Sequence, residues 1–148
     1  MQDRFRYRVF DNDDRKMYDV IFLNYENNSV EWYNDNNKKR AAFIEEVPTL
    51  QCTGLKDKNG KLIYEGDILD LYVSSKKLYR YEVKYEIGSF MLVSQDEIFD
   101  FKNVWNDNVY PLSQLYYEYQ NEENYIDECE IIGNVYENPE LLEVNSET

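Results

Sequence analysis

The sequence predicts a mainly β, antiparallel domain: a strongly curled sheet or small barrel-like unit with N-terminal strands and one or two short helices. Three observations carry this. Only two alanines, Ala41 and Ala42, stand against 15 tyrosines, 11 valines and 9 isoleucines, and β-branched and aromatic side chains suit a pleated surface better than a helix. Apolar and polar residues alternate at period two in several segments, the spacing of a half-buried strand. Turn-forming residues interrupt those segments at strand-length intervals, as in a meander that curls on itself.

The elements follow in order. In Arg4–Val9, the apolar Phe5, Tyr7 and Val9 alternate with Arg4, Arg6 and Arg8, which reads as a first strand. Asp11–Lys16 reads as a turn bearing exposed acids, and Met17–Leu23 as the returning strand. Asn24–Asn28 is a second turn before a strand at Val30–Tyr33. The polar stretch Asn34–Arg40 reads as a loop, and Lys39–Glu46 as a short helix. Lys58-Asn59-Gly60 lies between flanking strands, and Asn-Gly there predicts a type I′ hairpin because both residues accept positive φ. Glu65-Gly66-Asp67 makes another turn and feeds Ile68–Val73. Tyr79–Glu86 sets Tyr79, Tyr81, Val83 and Tyr85 against Arg80, Glu82, Lys84 and Glu86, a strand with one solvated face. Ser89–Val93 adds the next strand.

The last third is less regular. It contains the apolar segment Ile98–Trp105, then Pro111, which excludes a central strand position. Leu112–Tyr119 fits helix or strand. Glu130–Tyr136 is a strand in which Gly133 marks a bulge or a close backbone approach. Asn138-Pro139-Glu140 has the form of a helix start, with Asn as N-cap and Pro at the first helical position.

A chain of 148 residues suits one domain, here expected as a main β domain over 46–142. An N-terminal β segment, 1–45, would pack on it, and 143–148 would form a flexible acidic tail. No apolar run approaches the roughly 20 residues of a membrane helix, and the opening MQDRFRYR lacks a signal-peptide core. Cys52 and Cys129 are too few for a disulfide framework or a zinc site, which points to a reducing cytoplasm. The absence of histidine removes Ser-His-Asp and Cys-His catalysis.

The charge is unevenly placed. Residues 1–45 carry net −1 and residues 46–95 net zero, whereas residues 96–148 carry 14 acids and one base, Lys102, of a total net charge of −14. The acids of that third include Asp96, Glu97, Asp100, Asp107 and Glu118. Such a surface repels phosphate backbones, so direct nucleic-acid binding is disfavoured. It reads either as a solubilising surface or as a docking face for a basic partner, with Glu122, Glu123, Asp127 and Glu128 as the acids of that face.

Catalytic patterns are weak. Asp11-Asn12-Asp13-Asp14 opens like a calcium loop, but the positions needing glycine and a bidentate glutamate hold Lys16 and Phe22. Asp70 with Glu82-Val83-Lys84 superficially matches a metal-nuclease set, yet strand alternation accounts for both charges on β-type spacing. There is no phosphate-binding glycine loop, dinucleotide fingerprint or zinc spacing, so no cofactor and no catalytic residue is expected. The tyrosines remain. Tyr116, Tyr117 and Tyr119, beside the acidic stretch, suit an oligomer interface, because tyrosine joins large apolar area to a polar tip; equally, the tyrosines can alternate between core and pleated surface.

Four stretches remain: Arg4-Phe5-Arg6 with Val9-Phe10-Asp11 and Lys16-Met17; the long run Leu50 to Gly60, continuing through Ile63-Tyr64-Glu65-Gly66-Asp67-Ile68; Gly88-Ser89-Phe90; and Glu130 to Leu142. Together they resemble the YopX family of phage and prophage proteins of Gram-positive bacteria. Cys52 departs from the pattern, since an aromatic commonly precedes the Thr-Gly-Leu. The resemblance implies a phage- or prophage-encoded protein in the bacterial cytoplasm that self-associates, and it implies no activity. The signature positions Gly54, Gly60, Gly66 and Gly133 read as turns or bulges, and Asp57, Asn59 and Asp67 as turn-capping side chains. A second reading lets Thr53, Gly54, Leu55, Lys56, Asp57, Gly60, Tyr64, Glu65, Gly66, Asp67, Gly133, Asn134 and Tyr136 border a binding groove. The expectation is a non-enzymatic interaction module forming homo-oligomers. The alternative is an acidic inhibitor, or nucleic-acid mimic, of a basic nucleic-acid-binding protein.

Overall fold

A computed structural model of the chain describes residues 2–73, 76–94 and 109–143. The segment Ile98–Trp105 and the acids Asp96, Glu97, Asp100 and Asp107 lie outside the described residues, as do residues 144–148 of the expected tail.

The chain begins with a 3-10 turn, Gln2–Phe5, closed by Arg6 N–H to Asp3 O. Strand β1 spans Tyr7–Asp11, so the alternation from Arg4 is strand only in its second half. Register pairing with the neighbouring β6 (Thr49–Lys56) starts at Tyr7↔Gln51, with Arg6 O accepting Cys52 N–H, and the residues before Arg6 are taken up by the 3-10 turn. Strand β2 (Lys16–Asp19) returns along β1. The chain then changes sheets: Val20 N–H bonds Tyr7 O, and the next amide, Ile21 N–H, bonds Glu31 O. Successive amides of an extended chain point to opposite sides, so the expected strand Met17–Leu23 is split between two sheets. Its second part, β3 (Phe22–Asn24), pairs with β4 (Ser29–Tyr33).

Strand β5 (Lys39–Phe43) completes that three-stranded sheet where a loop and a helix are expected. Pairing of Ala42 with Val30 overrides the helix preference of the two alanines. What remains helical is a 3-10 turn, Ile44–Glu46.

A four-stranded sheet has the order β2-β1-β6-β7, with β7 at Leu62–Tyr64. A five-stranded sheet has the order β11-β10-β9-β8-β12 and curls as a half-barrel. Its strands are β8 (Asp67–Val73), β9 (Lys76–Glu86), β10 (Ser89–Ser94), β11 (Val109–Pro111) and β12 (Cys129–Asn134). Among the described residues the named strands pair antiparallel, and an isolated parallel bridge joins Lys56 to Tyr125. Pro111 sits on the edge strand, where its missing N–H breaks no ladder. Leu112–Tyr119 is helical, α1.

The main core lies between this sheet and α1. Leu69, Tyr81, Val83 and Leu92 point inward and meet Leu112 and Leu115, one helical face, with Ile63, Ile126 and Cys129. Tyr79 and Tyr85 share the inward parity but lie exposed near the ends of β9. A smaller cluster, Val9, Val30 and Trp32, sits between the N-terminal strands. Asp11 is buried there rather than exposed. Its carboxylate accepts Trp32 Nε1–H at 3.0 Å and the amide of Asp13 at 2.9 Å. Among the described residues no helix is long and apolar enough to cross a membrane.

Candidate functional site

The signature run Thr53–Asp67 first builds itself. Between Cys52↔Tyr64 and Lys56↔Leu62 the β6–β7 register shifts, and Gly54 takes φ +83°. Thr53 Oγ1–H donates to Ile63 O at 2.8 Å and its oxygen accepts Leu55 N–H, filling the gap in the ladder. The next bend is not type I′, because Gly60 has positive φ and Asn59 does not. Instead Gly60 N–H closes the turn on Asp57 O, and Asp57 Oδ1 accepts the amides of Asn59 and Lys61. Asp57 Oδ2 accepts Ile131 N–H at 3.0 Å across 74 residues. One buried carboxylate therefore shapes its own turn and fastens it to β12.

Two further signature side chains, Asp67 and Asn134, are engaged in the same way. Asp67 is buried, ion-paired with Arg8, and accepts Tyr64 N–H at 2.8 Å. Burial pushes its carboxyl above the ordinary carboxylate range, with Arg8 opposing the shift. Asn134 accepts the amides of Tyr136 and Glu137 and donates to the Glu137 carboxylate. Gly133 lies at the expected bulge, and a Cβ there would come within 2.5 Å of Asn138 Oδ1. That oxygen accepts Asn134 N–H. It therefore does not cap the following 3-10 turn, Pro139–Leu142, as the Asn-Pro pattern predicts.

Concave regions also lie among the described residues. Glu65, Gly66 and Tyr136, which the groove reading includes, line a cleft of about 180 Å³ with Leu50, Glu82, Lys84 and Val135. Leu55, Lys56 and Gly60 lie elsewhere, and Thr53, Asp57, Tyr64, Asp67 and Asn134 are buried. The outer face of β9 is consequently less solvated than the alternation implies. Glu82 is half-buried, and burial raises its carboxyl above the ordinary value. Asp70 is buried in a two-pronged bond with Arg80, whose third nitrogen donates to Leu141 O.

A second cavity, about 390 Å³, is lined by Lys58, Tyr72, Asp127, Glu128 and Glu130. It takes up two of the four acids assigned to a partner face. Glu122 and Glu123 are exposed on the preceding turn and do not line it. The Lys58 ammonium already lies 4.9 Å from the Tyr72 ring centre and 3.7 Å from Glu130. Nearby, Tyr116 and Tyr117 meet edge to face, with Tyr117 exposed.

The third region was not singled out by sequence reasoning. A groove of about 350 Å³ runs between the first 3-10 turn and the chain 19–25. Around it Phe5 is 65%, Ile21 52%, Phe22 51% and Tyr25 76% exposed. The available signal was the adjacent pair Ile21-Phe22, which breaks period two and leaves no parity that buries both. Neither cysteine adds chemistry: both are buried, and burial pushes the Cys129 thiol up to about 12. Among the described residues no group of three acidic or thiol side chains converges as a metal site.

The model of the family described as YopX protein matches residues 6–143. The chain belongs to the YopX family. Two solved structures share the YopX-like fold. The crystal structure of protein EF1440 from Enterococcus faecalis is 24% identical, with a TM-score of 0.53, covering 93% of this chain and 97% of that one. Protein yopX from Bacillus subtilis is 20% identical, with a TM-score of 0.52, covering 95% and 99%. At these identities the likeness is one of fold. No curated protein matches the chain.

Proposed function

We propose that this YopX-family chain is a phage- or prophage-encoded accessory protein that works as a self-associating protein-interaction module rather than as an enzyme. The observation that carries the reading is the apolar groove, where four large side chains stand half or more exposed. Clustered exposed apolar surface of this kind marks protein contacts on a soluble domain. The chemically capable signature side chains Asp57, Asp67 and Asn134 meanwhile bond the chain's own backbone.

Light scattering on the eluting protein at 0.15 M salt tests it. The expected mass is a multiple of 17.9 kDa, falling to that value in Phe22→Ser/Tyr25→Ser. A monomeric wild-type protein would sink the reading.

The acidic cavity at Asp127, Glu128 and Glu130 favours the second reading, a docking face for a basic nucleic-acid-binding protein. Charge reversal of Glu122, Glu123, Asp127 and Glu128 would then abolish capture of that protein while the oligomer mass stays unchanged.

A further inference from the structure

The cleft beside the Glu65-Gly66 turn combines a withdrawn charge, an aromatic wall and a fixed shape. Glu82 is half-buried in it, and its carboxylate makes no hydrogen bond or ion pair with the described residues; Lys84 acts on it only at a distance. Removing a carboxylate from water without a partner is costly, and the cost is relieved by protonation or by an arriving cation. Glu65 and Glu86 supply two further carboxylates to the same cleft. Glu65 and Glu82 act on the Tyr136 hydroxyl, whose pKa is raised by burial first and by these two acids next.

The walls are held by backbone. Gly66 N–H bonds Val83 O at 2.8 Å, between Glu82 and Lys84 in sequence, and Val135 N–H bonds Gly66 O at 2.9 Å. Tyr136 is backed by Phe10, with ring centres 5.4 Å apart in a stacked arrangement. The cleft therefore needs little rearrangement to receive a ligand.

We propose that this cleft binds the guanidinium of an arginine side chain presented by a partner protein. The proposal rests on the reading that the chain acts through protein contacts, and it names the chemistry of one such contact. A guanidinium is weakly hydrated, offers a planar fork of donors to carboxylates, and stacks on aromatic rings. At about 180 Å³ the cleft admits a side-chain head group and little more. Its three carboxylates, Glu65, Glu82 and Glu86, disfavour phosphates. Lys84 makes no ion pair with the described residues, and its flexible stem lets the ammonium swing outward as the arginine enters.

The test is an NMR titration of the isotope-labelled full chain with capped arginine (Nα-acetyl-arginine amide), capped citrulline and free arginine. Saturable shifts of the Gly66, Val83 and Tyr136 amides are expected with capped arginine and none with the neutral citrulline. Glu82→Gln should weaken capped-arginine binding at least tenfold, and Glu123→Gln should leave it unchanged. Equal binding by Glu82→Gln, or shifts confined to residues 122–128, would overturn the proposal, as would the absence of saturable shifts. Tighter binding of free arginine than of the capped residue would mean a small-molecule site and would also overturn it. The oligomer mass of Glu82→Gln is read separately, so failure here and failure of the self-association reading remain distinct.

Discussion

Glu82 and Asp57 are carboxylates on the same fold with opposite circumstances. Asp57 is buried and accepts three backbone amides through its two oxygens, an arrangement in which each lost bond leaves a buried carboxylate less well satisfied. Glu82 has only the distant Lys84 to offset its desolvation, and its pKa is raised. A raised carboxyl pKa means that the folded state holds its proton more tightly than the unfolded chain does. Ionised Glu82 therefore lowers stability at neutral pH, and that loss is relieved as pH falls from above the raised value to below the unfolded one. Glu82→Gln is expected to be more stable than wild type at pH 7, with the difference shrinking toward pH 4. Urea denaturation at several pH values reads this directly, and a difference that does not change with pH would show that desolvation is not what acts on Glu82.

At the scale of elements, the Asp57–Gly60 bend illustrates what local sequence does and does not determine. That a turn occurs at Lys58-Asn59-Gly60 is legible, because aspartate, asparagine and glycine each favour a bend by their own backbone chemistry. Its type is not, because Asp57 adopts a side-chain-bonded turn that also fastens Ile131, and that contact spans 74 residues. The sheet change at Val20-Ile21, and the conversion of Lys39–Phe43 from expected helix to strand, share this cause: a distant partner decides the hydrogen bonding. Gly60 lets the two contributions be measured apart. Its φ of +78° strains any L side chain, and a Cβ would also meet the Tyr125 ring at 2.8 Å. Gly60→Ala is expected to cost about 2–4 kcal/mol, combining left-handed strain with overpacking. In a Tyr125→Ala background the cost should fall to about 1–2 kcal/mol, the strain alone. Equal costs in the two backgrounds would remove the ring contact from the account.

For the whole molecule, fold class was legible and the convergence of surfaces was not. Composition and period two are averages over many residues, so errors at single elements such as Lys39–Glu46 leave the β assignment intact. The cleft, in contrast, needs Glu65, Glu82 and Tyr136 to meet from three parts of the chain, and nothing local in any of them announces it. Charge is an intermediate case, readable as a sum and consequential only through placement. Residues 96–148 hold net −13 of the total −14, and within them Glu122, Glu123, Asp127 and Glu128 crowd one turn region beside β12. Like charges confined to one end repel one another in the compact state more than in the expanded chain. That repulsion acts over about 30 Å at 0.01 M salt and about 8 Å at 0.15 M. Melting temperature is therefore expected to rise with sodium chloride from 0.01 M to about 0.15 M, at fixed protein concentration so that self-association does not contribute. The combined variant Glu122→Gln, Glu123→Gln, Glu128→Gln should start from a higher melting temperature at low salt and respond less to added salt. If wild type and variant respond alike, these three acids are already neutralised by the protein's own cations and their crowding is no source of instability.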